Sequence, residues 1–317
     1  MFVLGCVRSG TTLLYHMLLS AGNFAVYRTE SAVLNLLEPR FGDLSVDGNK
    51  RRLLKAWFET KLFTTSGLDR DSISAKVMSE CRNGGDFLRI FMSEIAAKQG
   101  VQRWADTTPE HLLYLPRIKQ TIPNALVIHI IRDGRDVALS TDKQGYIRRL
   151  PWDRLPSKMA AGIYWDWMVS KGRRDGHDLG DDYIEVHFEE LIRDPRKTLT
   201  LLGQFIGQEL DYDEILRVGI GSVSAPNTSF GDSGNFNPVG RWRDQFSGDE
   251  LAIFEGLVGS TLQENGYELA TKNRDALNRA DLQLLRASYR AYFDMKLYLK
   301  AQTPLGRLLV SRDLSWV

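Results

Sequence analysis

The sequence predicts an open parallel α/β sheet flanked by helices in three layers, with a helical insertion and further helices at its C-terminal end. Three observations carry this. Strand-like and helix-like segments alternate along most of the chain, as parallel sheets with crossover helices require. The run at 125–131, Ala-Leu-Val-Ile-His-Ile-Ile, is almost continuously apolar, as in a parallel strand buried on both faces. Residues 5–12, Gly-Cys-Val-Arg-Ser-Gly-Thr-Thr, separate a short apolar run from a helix-period pattern, so a glycine-containing turn joins a first strand to a first helix.

The elements follow in order. Phe2, Val3 and Leu4 form the first strand, and Leu13, Leu14, Met17 and Leu18 give the first helix its apolar face. Residues 24–27 read as a second short strand after the Gly22-Asn23 turn. Residues 30–39 read as a helix stopping near Pro39. Helical periodicity returns over 49–63 (Leu53, Leu54, Trp57, Phe58) and over 84–99 (Phe87, Leu88, Phe91, Met92, Ile95). The span 40–100 holds no sheet strand and reads as a helical insertion over one end of the sheet. Residues 102–105 read as a strand, and Pro109 suits the first turn of a helix reaching Gln120. After the 125–131 strand come a helix through Ser140, a helix over 157–174, a strand at 183–187 and a helix over 195–206. Residues 222–247 are rich in Gly, Ser, Asn and Pro and read as a long loop, a common form for lids and binding loops. Helices are expected over 248–264 and 276–300.

This predicts one α/β domain over 1–270, with a C-terminal helical extension, 271–317, packed on it. The last helix interleaves Arg286, Arg290 and Lys296 with Leu285, Tyr289, Tyr292 and Phe293. It reads as a packed helix, with a membrane-surface or partner-binding helix as the alternative.

Composition excludes more than it selects. The 317 residues are 43% hydrophobic and 26% charged, an ordinary globular balance. A net charge of +1 makes no general case for nucleic acid or membrane binding, so phosphate recognition must be local. Two cysteines, Cys6 and Cys81, make no disulfide framework. No basic-then-apolar leader precedes the first strand, and no apolar run is long enough to span a bilayer. A cytoplasmic protein is expected, an anchor outside this sequence being the exception. Five scattered histidines and unpatterned carboxylates predict no metal site.

Gly5 and Gly10 have the spacing of G-x-x-x-x-G-K-[ST], with Thr11 in place of the lysine and Thr12 in the hydroxyl position. Backbone N–H groups at the helix start can hold phosphate oxygens without a lysine. The missing ammonium is the one that reaches the β- and γ-phosphates of a nucleoside triphosphate. Arg8 offers a cation from inside the loop. An anionic nucleotide is therefore expected, and ATP or GTP hydrolysis is disfavoured. A second constellation is Arg132 at the end of the strongest strand with Ser140 two helical turns on. A guanidinium and a hydroxyl so placed could grip a phosphate. The competing reading is a local ion-pair cluster of Arg132, Asp133, Arg135 and Asp136.

Taken together these motifs resemble a family. Arg8-Ser9-Gly10-Thr11-Thr12 resembles the 5′-phosphosulfate-binding loop of sulfotransferases, in the style of bacterial and Golgi-type members. The run from Val127 to Asp136, ending at Ser140, resembles their 3′-phosphate-binding strand and helix. Phe188-Glu189-Glu190-Leu191-Ile192-Arg193-Asp194-Pro195 resembles the segment after a late strand. Gly240-Arg241-Trp242-Arg243 resembles the Gly-x-Trp-basic element of a mobile late loop. The resemblance spans about residues 2–245, in the right order.

The resemblance implies the donor 3′-phosphoadenosine 5′-phosphosulfate, with Arg8, Ser9, Gly10, Thr11 and Thr12 on its 5′-phosphosulfate. It places Arg132 and Ser140 on the 3′-phosphate, with Gly240, Arg241 and Arg243 closing over it and Trp242 beside the nucleotide or anchoring the loop. Sulfuryl transfer has less negative charge to neutralise than phosphoryl transfer, so no metal is required. Glu30, in a Glu-Ser step like that of several family members, is the expected general base, with His111 as runner-up. Two departures stand out. Thr107 occupies the place of a lysine common before Thr-Pro, and Phe188 replaces a common tyrosine. The implied acceptor is a hydroxyl or amine of a small molecule, carbohydrate, lipid or peptide. The 40–100 segment and residues 141–160 are expected to line its pocket, and Tyr146, Trp152 and Trp165 are candidates to stack on it. A phosphate-loop kinase or NTPase and a non-catalytic nucleotide-binding scaffold are the rival readings.

Overall fold

The computed structural model describes residues 1–219, 237–271 and 279–309. Its sheet is small and parallel: β1 (Phe2–Leu4), β2 (Val127–Ile131) and β3 (Tyr183–His187) lie in the order β1-β2-β3. The register pairs Val3 with Ile128 and Ile128 with Ile184. β1 and β2 are buried along their whole length, as continuous apolar strands between helical layers should be.

Two expected strands reduce to single bridges. Phe24 pairs with Arg103, and Asp106 pairs with Phe2, both in parallel. The segments near 24 and 103–106 thus extend the sheet beyond β1 without forming ladders. Side chains take the backbone groups that a ladder would use. Gln99 holds both the N–H and the carbonyl of Val26, at 2.8 and 3.0 Å, and Asn23 Oδ1 accepts from the N–H of Gln102 at 3.2 Å. All five extended segments run the same way, so their carboxyl ends share one edge, where open α/β sheets bind ligands.

The first helix, α1 (Thr11–Ser20), follows the turn at residues 5–10. The helix expected over 30–39 is instead a π-helical turn, Val33–Leu37, running into α2 (Glu38–Phe41), and Pro39 lies in the first turn of α2 rather than at a stop. Next come α3 (Asp47–Trp57), α4 (Lys61–Ser66), α5 (Arg70–Glu80) and α6 (Gly84–Lys98), which keep the insertion free of strands. The single helix expected over 49–63 breaks before α4, where Thr60 caps the new helix by accepting from the N–H of Phe63 at 3.4 Å. α5 buries only Ile73 and Val77, too few for its periodicity to be legible. Trp57 centres this unit, with the rings of Phe63, Phe87 and Phe91 at 5.1, 5.1 and 5.5 Å.

A 3₁₀ turn, Pro109–Tyr114, leads into α7 (Leu115–Thr121). After β2 come α8 (Gly134–Gln144) and α9 (Ser157–His177), and after β3 come α10 (Phe188–Arg193), α11 (Pro195–Ile206) and α12 (Tyr212–Val218). Of the loop expected over 222–247, residues 222–236 lie outside the described residues. Its end forms a short helix, α13 (Trp242–Gln245), before α14 (Gly248–Glu264).

The C-terminal region supplies α15 (Ala280–Gln302) and α16 (Gly306–Leu309). α15 is fastened to the body by polar bonds as well as by buried Leu282, Tyr289 and Phe293. Arg286 grips the buried carboxylate of Asp166 at 3.0 and 2.7 Å. Trp167 Nε1 donates to Asp294 at 2.8 Å, and the Tyr289 hydroxyl donates to Asp153 at 2.6 Å. Its outer face exposes Leu284, Met295 and Tyr298. Among the described residues no helix is long and apolar enough to cross a membrane.

Candidate active site

The turn after β1 is built to present backbone N–H groups. Arg8 and Gly10 both adopt left-handed backbone, at φ 71° and 96°. Gly10 can do so at no steric cost, whereas at Arg8 the conformation is strained, as is common at functional sites. Gly10 also stands at the N-cap of α1 with no side-chain cap, so the first N–H groups of the helix remain available to an anion. A β-carbon at Gly10 would overlap the ring of Phe188. We expect Gly10→Ala to lower unfolding stability in urea by on the order of 3 kcal/mol, combining backbone strain and overpacking. A change under about 0.5 kcal/mol would contradict this close packing.

Arg8 and Ser140, far apart in sequence, meet here: Arg8 Nε donates to Ser140 Oγ at 2.8 Å. Arg132, buried at the end of β2, donates from Nη1 to the carbonyl of Arg8 at 2.9 Å and from Nη2 to that of Pro238 at 2.5 Å. Its guanidinium lies 4.5 Å from the centroid of the Phe188 ring. Burial, and the nearby charges of Arg241 and Arg8, lower its pKa against the pull of Asp136 and Glu189. It stays a cation, since even a lowered arginine titrates far above neutrality. Three guanidiniums, Arg8, Arg132 and Arg241, therefore share one neighbourhood. Two buried polar atoms there, Ser9 Oγ and Arg132 Nε, have no partner. Thr11 is buried and Thr12 half-buried at the start of α1.

The Arg132–Asp136 run divides its labour. Asp133 caps α8 by accepting from the N–H of Arg135, and its carboxylate also binds the Arg135 guanidinium at 2.8 Å. Arg135 reaches Glu255 as well, at 2.8 Å. The expected ion-pair cluster thus exists for Asp133 and Arg135, while Arg132 is turned to carbonyls and the Phe188 ring. Asp136 holds the late loop, accepting from the N–H groups of Gly240 at 2.7 Å and Trp242 at 3.0 Å.

Of the two roles open to Trp242 the structure favours the anchor, and the expected roles of Trp165 and His111 are corrected. The Trp242 ring is buried, with the guanidiniums of Arg135 and Arg243 at 3.8 and 4.6 Å from its centroid. It anchors the loop and has no free face for a nucleotide. Trp165 is likewise core, packed on Gly134 with its Nε1 donating to the carbonyl of Arg132 at 3.0 Å. Tyr146 and Trp152 are exposed. His111 is fully buried with both ring nitrogens engaged. Its Nε2 accepts from the N–H of Leu34 at 3.1 Å, so the proton sits on Nδ1, 2.8 Å from Asp106. No lone pair is left to take a proton from an acceptor.

Glu30 stands at the carboxyl end of the extended segment that bridges to Arg103. It reaches solvent, yet its carboxyl is crowded by protein. Desolvation first, then the charges of Asp106 and Glu110, raise it to about 7. Immediately after it, Ala32 adopts left-handed backbone at φ 52°, and the π-helical turn begins. Both features cluster at functional sites. Sequence reasoning missed Asp106 and Thr108, which bond this segment. The available signal was the run Asp106-Thr107-Thr108-Pro109-Glu110-His111, dense in polar side chains at the end of a sheet segment.

An uncapped helix start on a parallel sheet, with arginines at the strand ends, makes an anion-binding arrangement at the edge where open α/β sheets take ligands. A model described as the sulfotransferase family matches residues 1–213, and the chain belongs to that family. A Caenorhabditis elegans protein named provisionally as a protein-tyrosine sulfotransferase is 25% identical over 191 residues, covering 55% of this chain and 72% of that protein. Among solved structures, the sulfotransferase domain from the curacin biosynthetic pathway superposes with a TM-score of 0.51 at 15% identity, covering 84% of this chain and 97% of that one. The sulfotransferase domain of the Synechococcus PCC 7002 olefin synthase gives 0.49 at 20% identity, covering 92% and 93%. The fold is accordingly the α/β sulfotransferase fold, here with a small parallel sheet and much helix.

Proposed function

We propose that this sulfotransferase moves a sulfuryl group from 3′-phosphoadenosine 5′-phosphosulfate to a hydroxyl or amine, in line and with base assistance. The carrying observation is that Arg132 bonds the carbonyl of Arg8 in the turn leading to the uncapped start of α1, with the charge of Arg241 near enough to act on Arg132. Such a cluster of like charges favours a ligand with more than one anionic group. The unpartnered Ser9 Oγ and Arg132 Nε fit that ligand, being buried polar atoms that otherwise cost stability.

When bound, the donor supplies the sulfuryl group and leaves as the nucleotide bisphosphate. The N–H groups of Gly10, Thr11 and Thr12, with Ser9 and Arg8, would hold the 5′ end and stabilise negative charge developing there. Arg132 and Ser140 would hold the 3′-phosphate, with Gly240, Arg241 and Arg243 flanking it on the loop that Asp136 fastens. Phe188 supports Gly10 and Arg132 through its ring. Glu30 would accept the proton of the attacking hydroxyl or amine. The acceptor would enter beside Glu30 and Glu110, between the helical insertion and α15, whose Lys300 lies 3.4 Å from Glu110.

Adenosine 3′,5′-bisphosphate at about 100 times its dissociation constant should stabilise the protein by roughly 2.7 kcal/mol, without Mg²⁺. A melting shift produced by Mg·ATP and not by the bisphosphate would favour a kinase or NTPase. Labelled sulfuryl transfer to a mixed library of alcohols, phenols and amines then separates an enzyme from a binding scaffold.

A further inference from the structure

The segment carrying Glu30 is not held by a strand ladder. It is held by side chains of a motif some 75 residues away. The hydroxyl of Thr108 accepts from the N–H of Ser31 at 3.0 Å and of Ala32 at 3.2 Å. It donates in turn to Asp106 Oδ2 at 3.1 Å. Ser31 Oγ also lies 3.3 Å from Thr108 Oγ1, so the hydroxyl is enclosed by polar partners from both segments. His111 Nε2 accepts from the N–H of Leu34 at 3.1 Å, and its Nδ1 faces Asp106 Oδ1 at 2.8 Å. Asn35 Nδ2 donates to Glu110 at 2.9 Å. Ser31, Ala32, Leu34 and Asn35 are thus each joined to 108–111. Pro109 has no N–H, and the chain turns there into a 3₁₀ helix, so backbone pairing cannot do this work.

Asp106 is the hub. It is buried beneath both Thr108 and His111, and also accepts from the N–H of Thr108 at 3.1 Å. Burial alone would raise its carboxyl; His111 and the hydrogen bonds of Ser31 and Thr108 hold it below the ordinary value. These bonds also stabilise the left-handed backbone at Ala32, which an alanine adopts only at a cost. Ala32 in turn sets the direction in which the chain leaves Glu30.

We propose that Asp106, Thr108 and His111 form a brace that positions Glu30, with Thr108 and His111 as positioning residues and none of the three touching the reacting atoms. The proposal rests on the reading of Glu30 as the base. The brace fixes the backbone that leaves Glu30, an exposed residue whose carboxyl feels the charges of Asp106 and Glu110. Without it the segment is free to relax and to carry the carboxyl away from those charges.

The test is a carboxyl ¹³C NMR titration of Glu30 in the full chain, its signal assigned by loss in Glu30→Gln. Thr108→Val changes no charge and keeps the side-chain shape, so a merely structural role would leave the midpoint in place. The midpoint is expected to fall by about one pH unit or more in Thr108→Val, and to stay within about 0.3 unit in Thr108→Ser. Affinity for adenosine 3′,5′-bisphosphate should stay within about twofold in both. If Thr108→Val does not fold, His111→Asn keeps a donor for Asp106 and drops the acceptor for Leu34, and the same fall is expected. His111→Gln, which can supply an acceptor, should restore the midpoint. An unmoved midpoint in the folded variant overturns the brace. Full sulfuryl transfer by Glu30→Gln would overturn the base reading instead, while the titration result would stand, so the two fail separately.

Discussion

Replacing Glu30 with Gln is expected to lower kcat by about 10²–10⁴-fold while affinity for adenosine 3′,5′-bisphosphate stays within about twofold. Gln keeps the size and hydrogen-bonding reach of the side chain but cannot take a proton. The donor groups lie at the ends of β1 and β2, whereas Glu30 lies at the end of an outer segment, so donor binding should survive. Because the carboxyl titrates at about 7, the wild-type rate should be full above that pH and lost as pH falls through it. A carboxyl raised in the fold above its ordinary 4.5 disfavours the folded state once the unfolded chain ionises. Glu30→Gln should therefore melt no lower than wild type at neutral pH. The loss of turnover then cannot be ascribed to unfolding. Steady-state kinetics across pH 5–9 and a melting curve check all three statements, and an unchanged kcat would remove Glu30 from the mechanism.

The parts of the site legible in the sequence were those whose chemistry is written locally. The Gly5–Thr12 turn is marked by its spacing, and Arg132 and Ser140 by a strand end and two helical turns. Their meeting, Arg8 Nε on Ser140 Oγ, joins residues far apart in the chain, but both sit at the carboxyl edge of one parallel sheet, so the fold class alone brings them near. Trp242 was open between two roles because a tryptophan beside two arginines serves either. The burial of its ring, with Arg135 at 3.8 Å from the centroid, decides for an anchor. His111 misleads for a related reason: a histidine in a motif looks available until both ring nitrogens are found taken.

The fold shows the same division. Ile128 and Ile130 in a continuous apolar run announce β2, whereas the edge segments near Phe24 and Arg103 look like strands and are not. Local propensity cannot reveal that Gln99 will occupy Val26, since that contact depends on where α6 ends. Likewise, nothing in the spacing of Val33, Leu36 and Leu37 marks a π turn. That turn follows from Ala32, whose carbonyl accepts from both Leu36 and Leu37, and Ala32 is set by Thr108. The irregular backbone that follows Glu30 is thus tied to one hydroxyl.

The second large effect concerns Arg132. Wild type should bind adenosine 3′,5′-bisphosphate at least about 100-fold more tightly than adenosine 5′-phosphate, and Arg132→Met should reduce that preference to under about tenfold. Arg132 is a buried cation bonded to two carbonyls and an aromatic face, with Arg8 and Arg241 adding repulsion and Asp136 and Glu189 opposing it. A phosphate would supply the missing charge, and a buried charge-assisted pair carries several times the energy of an exposed one. The ligand comparison isolates the contact. Any general damage from Arg132→Met, including loss of the bonds to Arg8 and Pro238, weakens both nucleotides alike and cancels in the ratio. Arg132→Lys should restore little, because an ammonium cannot reach both carbonyls and a phosphate with the geometry of the guanidinium fork. Calorimetric titration of both nucleotides against wild type and the two variants gives the ratio directly. A preference that survives Arg132→Met would move the 3′-phosphate to Arg241 and Arg243, leaving Arg132 as the residue that ties the loop at Pro238 to the turn at Arg8.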